Sequence, residues 1–173
     1  MKSTGIVRRI DELGRIVIPK EMRKKLKIKD NDYFEIFVRD ENIVLQKYSE
    51  MDGLENLLNL YSKIWKQLTD KNIIITDKQK ILSSSYNDFS SLNDDISEEL
   101  EDILNNRNKY YKDDKETLNI SNNFTVENFC YIIPLIINGD ISGSIIMISN
   151  DEITEYDKIS LQIVSKILTN YIE

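Results

Sequence analysis

The sequence predicts two units: a small β-rich head over residues 1–48 and an α+β body whose antiparallel sheet is flanked by helices. Three observations carry this. Charge divides the chain: residues 1–48 hold 12 Lys and Arg against 8 Asp and Glu, and the remaining 125 hold 11 against 22, within a net charge of −7. A basic head on an acidic body points to a polyanionic partner for the head alone. The head is made of short β-branched runs punctuated by Gly, Pro and Asp, whereas the body alternates apolar runs with stripes at helical spacing.

In the head, Gly5-Ile6-Val7-Arg8-Arg9-Ile10 reads as a strand. Asp11-Glu12-Leu13-Gly14 reads as a turn, with Gly14 able to adopt positive φ. Arg15-Ile16-Val17-Ile18 reads as a second strand. Pro19 cannot donate to a ladder; it ends that strand and suits the first turn of a helix. Lys20 to Leu26 is that helix, with Met22 and Leu26 four apart on one face. Tyr33 to Val38 alternates as a strand, Asp40-Glu41 turns the chain, and Ile43-Val44-Leu45 completes a hairpin. The order is ββαββ. Arg8 and Arg9 lie on the first strand, Arg15 opens the second, and Arg23 and Lys24 ride the helix, so a compact unit can gather them on one surface. An arginine fork suits phosphate and the guanine edge, and lysine supplies a point charge.

A 48-residue segment buries too little surface to be comfortably stable alone, so its core is expected to come from a partner chain. With one cysteine there is no internal disulfide, and no metal cluster is visible. The chain has no histidine. That removes the commonest general base and metal ligand. Adjacent acids such as Glu98-Glu99 and Asp113-Asp114 read as solvated surface. With no phosphate-cradling loop and no nucleophile–base pair, the sequence predicts neither an enzyme nor a cofactor. Cys130, inside the apolar run 129–137, reads as a buried, inert thiol. The start MKSTGIVRR lacks the apolar region of a signal peptide, and no apolar run is long enough to span a membrane. The expectation is a cytoplasmic protein without a membrane partner.

The body begins with residues 49–70, a linker and first helix with Ser49 as its cap. Leu54, Leu57, Tyr61, Ile64 and Leu68 follow heptad spacing over two heptads, which fits a helix packed on its own domain or a bundle between chains. Residues 71–173 form the folded body. Asn72–Asp77 and Lys80–Leu82 predict a hairpin. Asp95-Ile96-Ser97-Glu98 has capping-box spacing and opens a helix through about Leu104. Asn105 to Glu116 reads as a polar surface loop, and 117–121 as a strand. Phe129–Ile137 and Ile141–Ser149 are long apolar strands joined at Asn138-Gly139-Asp140, a hairpin signal. Thr154 caps a closing helix whose stripe is Ile159, Ile163, Val164, Ile167, Leu168 and Tyr171.

Residues 3–48 resemble the AbrB family of transition-state regulators. The resemblance runs through Ser3-Thr4-Gly5-Ile6-Val7-Arg8, Asp11-Glu12-Leu13-Gly14-Arg15, Val17-Ile18-Pro19 and Glu21-Met22-Arg23. It implies a swapped-hairpin fold, in which two chains exchange hairpins into one dimeric β-barrel. It also implies binding of double-stranded DNA through Arg8, Arg15 and Arg23, with Lys24 beside them. Relatives often carry a second arginine where this chain has Lys24, whose point charge suits a phosphate. Arg9 joins this DNA-binding set from the charge pattern, although on a strand it alternates away from Arg8. The element order of the body resembles a GAF domain, a small sensor fold. The whole arrangement resembles AbrB-type sporulation regulators with a C-terminal GAF domain. This implies a nucleoid-associated transcriptional regulator that dimerises through the head; between a dimer and a tetramer joined through the C-terminal domain, the resemblance favours the tetramer. For the GAF-like unit, a small ligand of unknown identity and pure assembly both stay open. The alternative for the whole chain is an antitoxin-like protein-interaction module, which uses the same head fold.

Overall fold

The computed structural model describes residues 5–30, 32–87 and 89–173, and the chain divides into two units, Met1–Tyr48 and Ser49–Glu173. In the first, the turn expected at Asp11–Gly14 is present: Gly14 N donates to Asp11 O and Asp11 N to Arg15 O, both at 3.0 Å. Gly14 sits at φ +76°, a conformation that glycine adopts at little cost. Residues 5–10 and 15–18 were expected as strands, but they form no ladder among the described residues. Strand propensity reports fit to a pleated neighbour, and the single chain provides none here. Pro19 stands at the N-cap of α1 (Lys20–Lys25) with φ −58°, and the helix starts at Lys20 as expected. Arg23, Lys24 and Lys25 fill the last turn, where positive charge complements the helix dipole. Strand β1 (Phe34–Arg39) pairs antiparallel with β2 (Asn42–Lys47) through the turn Asp40-Glu41. Both turn residues have positive φ, +48° and +64°, the hand that matches strand twist. Lys47 Nζ closes the base of this hairpin, 3.0 Å from Asp32 and donating to Lys27 O at 2.6 Å. Among the described residues of this unit none is fully buried. That outcome agrees with the argument from length.

In the second unit the first helix starts later than expected. Ser49 Oγ accepts from Met51 N at 3.2 Å in a turn, and α2 (Glu55–Leu68) begins only after Gly53, which turns the chain at φ +79°. Leu58, Ser62 and Trp65 form the buried face of α2, flanked by the partly buried Leu54 and Tyr61. Ile64 and Leu68, expected on the same stripe, point outward with Leu60. Then follow β3 (Asn72–Asp77), β4 (Ile81–Ser84) and α3 (Glu98–Asn105). The cap of α3 is Ser97 rather than Asp95; its Oγ accepts from Leu100 N at 3.0 Å. β5 (Tyr110–Lys112) lies inside the stretch expected to be a polar loop. Lys112 there is buried, and its ammonium donates to Asp113 O at 2.6 Å and Asn128 O at 2.7 Å. A polar sequence thus hides an inward-facing charge whose hydrogen bonds are supplied by carbonyls.

β6 (Leu118–Ser121) pairs with β7 (Phe124–Val126) in a small separate hairpin. β8 (Phe129–Ile137) and β9 (Asp140–Ser149) are the long central strands, joined at Asn138 and Gly139, both with positive φ. The main sheet is wholly antiparallel, in the order β4-β3-β9-β8-β5. Its residues alternate between two cores. Ile73, Ile75, Ile145 and Met147 meet α2 and the closing helix α4 (Glu155–Ile172) on one face. Ile74, Ile146 and Ile148 meet Leu100, Leu104 and Ile120 on the other. Cys130 is buried in that second core, and burial pushes its thiol up to about 12. It is buried, as its apolar run suggests.

Helix α4 opens as expected. Thr154 N donates to Asp157 Oδ2 at 2.9 Å, Thr154 Oγ1 donates to the same oxygen at 2.7 Å, and Asp157 N lies 3.3 Å from Oγ1. Thr154→Ala is expected to lower stability by about 1 kcal/mol, the usual cost of a lost cap, measured by urea unfolding. The stripe on α4 splits. Leu161, Ser165 and Leu168 are buried, while Ile159, Ile163, Ile167 and Tyr171 are exposed.

Candidate nucleic-acid interface

The basic residues of the head lie on three local structures. Arg8 and Arg9 precede the Asp11–Gly14 turn, Arg15 follows it, and Arg23 and Lys24 stand on α1. Arg8, Arg9, Arg15 and Lys24 are exposed, whereas Arg23 is half-buried. Arg8 Nη1 donates to the carbonyl of Val7 at 2.9 Å. A groove of about 410 Å³ brings the Arg8 segment beside the start of α1, lined by Gly5, Ile6, Val7, Arg8, Pro19, Lys20 and Glu21. Arg23 Nη1 lies 3.3 Å from Asp30 Oδ1. The chain after α1 is also tied to this arginine, because Ile28 N donates to Arg23 O at 2.7 Å.

Arg15 is held most closely. Its Nε donates to Asp11 Oδ2 at 2.8 Å, and its backbone N donates to Asp11 Oδ1 at 2.7 Å. Leu13 N also donates to Oδ1, at 3.0 Å. The backbone N–H of Arg15 first, and its guanidinium next, hold the Asp11 carboxyl below its ordinary range. Sequence reasoning treated Asp11 only as a turn residue. The signal was present in its spacing: an acid four residues before an arginine, across a turn that brings their backbones together. Asp30 likewise went unnoticed as the partner of Arg23. Among the described residues no group of three or more Cys, Asp or Glu is arranged to hold a metal ion. No helix of the described residues is long and apolar enough to cross a membrane.

Each exposed arginine fork offers paired donors at fixed geometry, a chemistry that suits phosphates and base edges. Residues 53–173 match the family described as "Stage V sporulation protein T C-terminal, transcription factor". Residues 7–52 match the family described as "Antidote-toxin recognition MazE, bacterial antitoxin". Stage V sporulation protein T of Bacillus subtilis (strain 168) is 36% identical over 157 residues, 88% of this chain and 87% of that protein. The N-terminal DNA recognition domain of the Bacillus subtilis transition-state regulator AbrB is 61% identical, covering 28% of this chain and 92% of that one, with a TM-score of 0.25. The cofactor-binding GAF domain of the nutrient sensor CodY from Clostridium difficile shares the fold of the body, with a TM-score of 0.50, 11% identity, and coverage of 66% of this chain and 83% of that one.

A head similar to the Bacillus subtilis transition state regulatory protein AbrB, 42% identical over 83 residues and 78% of that protein, followed by a body that matches a transcription-factor family defines a class of transcription factor. The chain belongs to the stage V sporulation protein T family.

Proposed function

We propose that the protein regulates transcription, in a sporulation programme, by docking its arginine-bearing head on double-stranded DNA in the cytoplasm. The observation that carries this reading is the exposure of Arg8, Arg9, Arg15 and Lys24 on a unit 61% identical to a DNA recognition domain. Arg8, Arg15 and Arg23 supply forked donors to phosphates and base edges, and Arg9 and Lys24 add charge along the backbone. The acidic body leaves the head as the attractive surface.

The head works as a dimer in this reading. Residues 5–10 and 15–18 acquire their ladder from a second copy, whose hairpin also covers apolar side chains such as Val38, 80% exposed in the single chain. The outward stripes Leu60-Ile64-Leu68 on α2 and Ile159-Ile163-Ile167 on α4 join two such dimers into a tetramer. Two heads on one DNA then gain affinity through effective concentration.

The test is a fluorescence anisotropy titration of the full chain on duplex DNA at two salt concentrations. Binding with a steep negative salt slope is expected, because each neutralised phosphate releases counterions. The match of residues 7–52 to an antitoxin family favours a second reading, a head that recognises a protein. Absence of DNA binding at low salt would move that reading to the front.

A further inference from the structure

We propose that Asp11 is a positioning residue for DNA recognition, which fixes the Arg15 guanidinium through one carboxylate oxygen while the other ties the turn. This inference rests on the reading of Arg15 as a DNA contact.

The two oxygens of Asp11 have separate tasks. Oδ1 accepts the backbone N–H groups of Leu13 and Arg15, at 3.0 and 2.7 Å, and so fixes the turn. Oδ2 accepts from Arg15 Nε at 2.8 Å. Backbone and guanidinium of one arginine are therefore referenced to one carboxylate, and that carboxylate to the turn. A guanidinium held at Nε keeps its Nη1–Nη2 edge for a second acceptor, and that edge can fork onto a phosphate or a guanine. The pair is exposed, with 71% of the Arg15 side chain and 43% of the Asp11 side chain accessible. An exposed ion pair contributes little to folding, so its consequence lies in orientation. A long flexible side chain loses less freedom on binding when its geometry is set beforehand.

The sign of the effect separates positioning from simple charge. Asp11→Asn removes a negative charge from a surface that meets a polyanion, so attraction alone predicts tighter binding. Asn keeps an oxygen for the turn but places an amide NH₂ opposite Nε, which cannot accept its hydrogen bond. Positioning predicts weaker binding, by about three-fold or more, in the range of couplings between contacting groups.

The experiment is a double-mutant cycle in the full chain, with Asp11→Asn, Arg15→Ala and the double variant titrated on one duplex by anisotropy, beside the melting temperature of each. The expected result is weaker binding for Asp11→Asn at an unchanged melting temperature, and no further loss when it is added to Arg15→Ala. Equal or tighter binding by Asp11→Asn overturns the proposal. So does an equal loss in the Arg15→Ala background, which would make Asp11 a fold residue only. If Arg15→Ala itself binds like the parent protein, the reading of Arg15 fails, and the proposal falls with it for that separate, visible reason.

Discussion

Gly143→Ala is expected to destabilise the body by about 3 kcal/mol or more, enough to threaten its folding, because the added methyl has no space. Gly143 sits on β9 between its neighbours Asp77 on β3 and Leu135 on β8. A Cβ there would run into the carbonyl oxygen of Thr76 and lie 2.9 Å from the Cα of Asp77. Both obstacles are backbone, so no side-chain rotation relieves the clash. Relief requires β3 to move away from β9, while Thr76 Oγ1 and Ser144 Oγ bind each other across the same pair at 2.7 Å. Urea unfolding of the full chain followed by circular dichroism measures the loss. A midpoint within experimental error of the parent would show that the two strands part more easily than their register implies.

Arg15→Ala is expected to weaken DNA binding by more than ten-fold at low salt, in line with about 1–3 kcal/mol for a good base contact. The Arg15 side chain is 71% accessible, so its removal should leave the fold intact and its effect should fall on binding. Anisotropy titration of the variant on the duplex used for the parent protein measures this. Equal affinities would remove Arg15 from the interface and shift the role to Arg8 and to Arg23 with its neighbour Lys24. The slope of affinity against salt adds a second readout. Loss of a phosphate contact lowers it by about one, whereas loss of a base contact leaves it nearly unchanged.

The turns of the head were legible because their residues have few alternatives. Gly14 supplies positive φ, and Pro19 ends one segment and begins α1. The long strands β8 and β9 announced themselves through nearly unbroken apolar runs around Asn138-Gly139. Strand β5 was illegible: three residues, Tyr110–Lys112, in a polar stretch give no periodicity, and the burial of Lys112 depends on carbonyls at Asp113 and Asn128. The start of α2 is not legible because Ser49 suits a cap and equally a turn; here its Oγ accepts from Met51 N in a turn, and Gly53 turns the chain before the helix begins. In the interface, the arginines could be read from charge and motif. Their carboxylate partners could not, because Asp30 pairs with Arg23 only after the chain leaves α1 and folds back.

The alternation of the sheet between two cores has a consequence for how the body unfolds. Ile74 and Ile75, or Ile145 and Ile146, are adjacent in sequence yet anchor opposite cores. Neither core can dissolve while the other keeps its strands, since both are built from β3, β8 and β9. The body is therefore expected to melt cooperatively, as one foldon, and hydrogen exchange should show the amides of these three strands opening only with the whole body.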